Sequence, residues 1–145
     1  MPHLSLSWVA WAVLSAIFAA MTAIFAKIGL KNWQAEPALL LRTGIVIGFL
    51  LLVISWKQNW PDWDSLDAKD AGFLVLSGLA TGLSWLCYFY ALQQGPASLV
   101  APLDKLSVVF VAILSVFLLG ESLNPAQWIG IGLIASGALV VSIFA

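Results

Sequence analysis

Asp104 and Lys105 set an acid and a base side by side inside the apolar run 97–119. A run of that length reads as a membrane-spanning helix. An ionisable group within a span costs several kcal/mol, roughly, and faces a protein interior or a water-filled path. The pair fits a gate or a substrate site whose charges change partner during a transport cycle. The plainer reading is an ion contact that only fixes helix packing.

Other polar groups fall at similar depth. Arg42 lies early in the second apolar run and Lys27 ends the first. Neighbours on a helix diverge by ~100°, so Asp104 and Lys105 are expected to serve each other poorly. Arg42 is the natural partner for Asp104, because a planar guanidinium suits a carboxylate. Lys105 is left for a carbonyl, a tyrosine hydroxyl, a substrate or the interface. Trp85 sits well inside the third run, either as packing or as a wall of a substrate path. Tyr88, Tyr90, Gln93 and Gln94 close the same run. Pro102 has no N–H and frees a carbonyl near Ser98, which makes it a candidate hinge. The cations Lys27, Arg42 and Lys105 outnumber the acids nearby, Asp104 and Glu36. That balance mildly favours an anionic or zwitterionic substrate.

The same inventory argues against catalysis. The one histidine is His3, and no His/Asp/Glu pair lies in the spans to hold a metal or act as a general base. Cys87 is the sole cysteine, which excludes an intrachain disulfide. No metal site and no cofactor are expected, and the chain is not read as an enzyme.

The elements that must position these groups follow from composition. Of 145 residues, 62% are hydrophobic and only 9% charged. A soluble domain carries about 25% charged residues, so the partner is the lipid bilayer. A net charge of −1 gives no reason to expect nucleic acid. Five apolar runs emerge, at about 7–28, 38–56, 71–92, 97–119 and 126–144. Each is near the ~20 residues that cross a bilayer as a helix. The expected fold is an all-α membrane protein, a bundle of five transmembrane helices forming a single domain over 1–145. The first run follows no basic segment and is span-length, so it is expected to stay in the mature protein. Ser65 to Asp70 is expected to form an interfacial helical turn.

Local signals mark the ends and faces. Asn124-Pro125-Ala126-Gln127 has an N-cap, a proline at the first helical position and a glutamine three residues after the cap. Trp8, Trp11, Trp56, Trp60, Trp63 and Trp128 fall on one side of a five-span layout, and Trp33 on the other, as an aromatic belt. Gly44 with Gly48 and Gly78 with Gly82 form small-residue stripes at spacing four. So do Ala12, Ala16 and Ala20, and Gly132 with Ser136. Such stripes allow close helix approach, within the chain or between subunits. Lys57 and Lys69 lie on one side of the layout; Lys27, Lys31 and Arg42 lie on or near the other. So even a balance gives no clear orientation, as in a chain that inserts both ways.

Several of these pieces together resemble the EamA domain of the drug/metabolite transporter superfamily, over essentially the whole chain. They are Ala-Lys-x-Gly at 26–29, Arg42-Thr43, and Tyr88-Phe89-Tyr90-Ala91-Leu92-x-x-Gly95. Pro102 and Gly120-Glu121-x-Leu123, with Gln127 and Gly130, complete the set. Gly120-Glu121 at the end of an apolar span is the most specific. Asp104-Lys105 departs from the general pattern, where apolar residues are usual. Most members carry two five-span units, and this chain is similar to the short bacterial and archaeal group. The resemblance implies an alternating-access permease of the bacterial inner membrane. It also implies pairing of one unit with another as a homodimer, expected to be antiparallel.

The function expected is therefore secondary transport of a small polar metabolite. The alternatives are a membrane accessory or scaffold subunit without its own cycle, and a small multidrug-type exporter. The last has an essential acid in its first span, and residues 8–26 contain none.

Overall fold

The computed structural model describes residues 7–143. His3 and residue 144, the last of the fifth expected span, lie outside them. Every described element is helical: α1 (Trp8–Gly29), α2 (Ala35–Lys57), α3 (Ala68–Gln94), α4 (Ala97–Asp104), α5 (Ser107–Leu114) and α6 (Pro125–Ile143). A 3-10 turn at Trp63–Ser65 precedes α3, and a π turn at Ser115–Leu119 continues α5. Helix is what a span requires, since lipid offers its backbone no hydrogen-bond partner. Five helical stretches are long and apolar enough to cross a membrane, the fourth being Ala97–Leu119 as a whole. The protein is thus all-α, with five membrane-spanning segments.

The second and third spans are longer than their apolar cores. They begin at Ala35 and Ala68 and the third ends at Gln94, so Glu36 and both glutamines are helical. A helix continues past the hydrocarbon as long as its backbone bonds do, and polarity alone does not end it. The turn expected at Ser65 to Asp70 falls earlier. Asp62 accepts from the Asp64 amide at 3.3 Å, and the Ser65 hydroxyl donates to the Asp62 carbonyl at 2.7 Å.

The fourth span is not one regular helix. After Pro102 the bonding tightens to the three-residue spacing. Lys105 N–H donates to Pro102, Leu106 to Leu103, Val108 to Lys105 and Val109 to Leu106, each at 3.0 Å. Proline removes one donor and crowds the preceding turn, and tight turns of this type inside a helix mark such breaks. The span then widens into the π turn and stops at Gly120, whose φ of 69° is left-handed. Glycine adopts that conformation without a Cβ penalty. Glu121 N–H closes the end on the Ser115 carbonyl at 3.2 Å.

The chain divides into two compact units, and the boundary falls within α1. One holds residues 26–93: the last turn of α1, α2 and most of α3. Its buried residues are Leu30, Ala35, Phe89 and Leu92. The other holds residues up to Phe25 and from Gln94 onward. There α6 packs on α4 and α5, and Ala23, Ala112, Ser115 and Ala138 are buried.

The small residues that are buried are not those of the stripes. A Cβ added at Gly44, Gly48, Gly78, Gly82 or Gly132 would meet nothing within 4 Å. Ala12, Ala16 and Ala20 are exposed. Spacing four shows that residues share a helix face, but not whether another helix covers it.

Candidate functional site

In the 26–93 unit, the end of α1, the start of α2 and the end of α3 come together through polar side chains. Lys27 Nζ donates to the Leu92 carbonyl. Gln93 Nε2 donates to the Trp33 carbonyl at 2.9 Å. The Tyr90 hydroxyl donates to Glu36 Oε1. These bonds tie the α1–α2 link to the last turns of α3.

Deeper along the same helices stands Arg42. It is about 10 Å from the start of α2, and Trp85 is about 13 Å from the end of α3. The guanidinium carbon lies 3.5 Å from the Trp85 ring centroid and 5.9 Å from that of Phe89. Both fall within the ~6 Å range of cation–π attraction. Trp85 is braced edge-on by Tyr88 at 5.5 Å and by Phe89 at 5.9 Å. Residues 85, 88, 89 and 92 share one face by helical spacing, and Phe89 and Leu92 are the buried members.

This arrangement settles the position of Trp85. The seven other tryptophans include Trp8, Trp56 and Trp63, which are among the most exposed side chains; all seven are exposed and Trp85 is half-buried. Arg42 was expected to pair with Asp104, which belongs to the other unit; within its own unit Arg42 lies against an aromatic face. Among the described residues Arg42 forms no ion pair. A ring face, unlike a carboxylate, does not neutralise a guanidinium.

In the other unit, Lys105 Nζ lies 3.3 Å from Asp104 Oδ2, with the two side chains 54% and 37% exposed. This corrects the expectation that the neighbours serve each other poorly. Successive side chains diverge by ~100° on a regular helix and by ~120° in the tightened turn after α4, and the long lysine side chain reaches back across that angle. Pro102 sits inside α4 just before that turn. Neither the Asp104 nor the Lys105 side chain is buried by the rest of the chain.

Gly120 and Glu121 form the π-turn exit described above. The link after them is closed by a reciprocal capping box. Asn124 N–H donates to Gln127 Oε1 at 2.8 Å, and Gln127 N–H to Asn124 Oδ1 at 2.9 Å. No group of three or more His, Cys, Asp or Glu that could hold a metal occurs among the described residues.

Sequence reasoning missed Phe89, the Tyr90–Glu36 bond and the Gln93–Trp33 bond. The first was signalled by its spacing of four from Trp85. The other two depend on which helices adjoin, and no local signal carries that.

The profile of the EamA-like transporter family matches residues 6–143. An uncharacterized transporter from the cobO 3' region of a Sinorhizobium species is 47% identical over 141 residues, covering 97% of this chain and 100% of that one. A probable 4-amino-4-deoxy-L-arabinose-phosphoundecaprenol flippase subunit, ArnE, of Aeromonas salmonicida is 33% identical over 90 residues, 61% of this chain and 76% of its own length. The uncharacterized transporter YwfM of Bacillus subtilis is 33% identical over 99 residues, 68% of this chain but 33% of its own length. No solved structure matches the chain.

Proposed function

The chain belongs to the EamA-like transporter family of multi-pass membrane proteins, and from that premise we propose a specific cargo and assembly. The cargo is a small polar metabolite, anionic or zwitterionic, moved by alternating access across a bacterial inner membrane. Residues 1–145 act as one transport domain, with no catalytic step and no cofactor.

The observation that carries this reading is the Arg42 guanidinium stacked on Trp85 within a span. An ionisable group kept inside a membrane is a functional site by default, and this one is held by rings that leave its charge for a ligand. Tyr88 and Phe89 hold the ring in place. Lys27, nearer the helix end, adds positive potential along the entry. In the other unit Asp104 and Lys105 provide a charge pair that can open toward substrate, with Pro102 as the hinge of a span that is already discontinuous. Discontinuous spans at charged positions are a recurring feature of transporter sites.

The working assembly is an antiparallel homodimer. Three features support it: the open Gly44–Gly48 and Gly78–Gly82 faces, the even lysine balance between the two sides, and a relative of which the match covers only a third. A second reading, a subunit working with a different chain, is favoured by one relative named as a flippase subunit.

The test is flux in proteoliposomes, using a panel of anionic, zwitterionic and cationic metabolites. Arg42→Ala and Asp104→Asn should each abolish flux of the preferred class while the chain still inserts. Intact flux in both variants, with loss of a co-purifying protein, would establish the subunit reading instead. Reporter fusions at the C-terminus should report both orientations; one fixed orientation, unmoved by added Lys-Arg patches, would exclude the antiparallel pair.

A further inference from the structure

A cavity of about 870 Å³ lies in the 26–93 unit, between the α1–α2 link and the end of α3. Its lining joins two kinds of surface. Lys27 and Lys31, one helical turn apart, give it a cationic side, with Asn32 and Gln93 as further polar groups. Ile28 and Trp33, both exposed, give it an apolar wall, and its other apolar residues, Leu30 and Leu92, are buried. None of the described lining residues is acidic. Glu36, the nearest acid in sequence, is engaged by Tyr90 and does not line the cavity.

The cavity is also preformed. Lys27 is anchored on the Leu92 carbonyl and the link is anchored by Gln93 on Trp33. Gln34, the residue before α2, makes no side-chain cap bond, so the positive end of α2 adds to the potential at the lining. The exposed ring of Trp33 marks the level of the bilayer interface.

We propose that this cavity binds the phosphate headgroup of an anionic phospholipid, with the acyl chain along the exposed side chains of Ile28 and Trp33. Cationic pockets between spans at the interface select anionic headgroups, each lysine contributing about 1 kcal/mol, or roughly fivefold in affinity. A soluble anion would use the lysines but not the apolar wall. The site lies at the membrane surface and stands whether or not the transport reading above holds.

The experiment uses the purified full chain in non-ionic detergent. The thermal unfolding midpoint is followed while phosphatidylglycerol, phosphatidylcholine of the same chains, or inorganic phosphate is added. Phosphatidylglycerol should raise the midpoint saturably, and the other two should not. Lys31→Gln should raise the half-saturating concentration about fivefold. Asn32→Asp, which keeps both lysines and adds a negative charge, should weaken binding as well. Lys57→Gln, outside the cavity, should leave it unchanged. An equal response to phosphatidylcholine, or an equal loss with Lys57→Gln, would overturn the proposal. So would inorganic phosphate reproducing the full shift, since that assigns the cavity to a soluble anion. Binding is read without flux, so its failure is separate from failure of transport.

Discussion

The Arg42 guanidinium lies over the Trp85 ring, 3.5 Å from centroid to carbon, in the body of two membrane-spanning helices. A charge in that place needs a partner that does not neutralise it, and a ring face is such a partner. Cation–π contacts are worth about 0.5 kcal/mol when exposed and about 2 kcal/mol when desolvated. Trp85→Phe should therefore keep part of the stability and Trp85→Leu lose up to about 2 kcal/mol. Unfolding in detergent reads the difference. Equal loss for phenylalanine and leucine would show that the ring serves only as bulk. Arg42→Lys keeps the charge but not the planar face, and should lower flux while the chain stays folded.

The Asp104–Lys105 pair separates stability from function. Neither side chain is buried by the rest of the chain, so Asp104→Asn should change stability by about 1 kcal/mol or less. Flux should fall far more than that implies. Pro102→Ala should restore a regular bond to the Ser98 carbonyl, stabilise the span and slow transport. A Pro102→Ala protein with wild-type flux would remove the hinge from the mechanism.

The capping box at the start of α6 is a purely structural feature. Asn124→Ala should cost about 1 kcal/mol, and Asn124→Ser much less, because serine can still accept from the Gln127 amide. Gln127→Ala removes the reciprocal bond, so the double variant should lose less than the sum of the singles. Thermal unfolding of the four proteins measures the coupling.

Two classes of glycine should respond oppositely to alanine. Gly120 has a φ of 69° and open space around it, so Gly120→Ala should cost about 1–2 kcal/mol through backbone strain alone. Gly44 and Gly78 are helical with nothing near an added Cβ, so alanine there should be neutral or stabilising by up to about 1 kcal/mol within the chain. Bulkier changes, Gly44→Leu with Gly78→Leu, should leave the chain folded but weaken self-association. Cross-linking in liposomes measures that, and undiminished dimer would place the interface elsewhere.

The five spans and the Asn124–Gln127 cap were legible in the sequence because each depends on what lies near it in the chain. Span length follows from bilayer thickness, and a cap needs only residues three apart. The gathering of Lys27, Arg42 and the α3 tyrosines at one end of the 26–93 unit also follows from span direction and helical rise. Depth along a helix can be counted; rotation about its axis cannot. That rotation placed Trp85 under Arg42. Among the described residues it buried Ala23, Ala35, Ala112, Ser115 and Ala138, while nothing lies near an added Cβ at the stripe glycines. The length of the lysine side chain let Lys105 reach its neighbour Asp104. The sequence alone determined a five-span chain with charges at known depths. Only the tertiary structure decided which side chain each charge would face, because that choice rests on contacts between helices far apart in sequence.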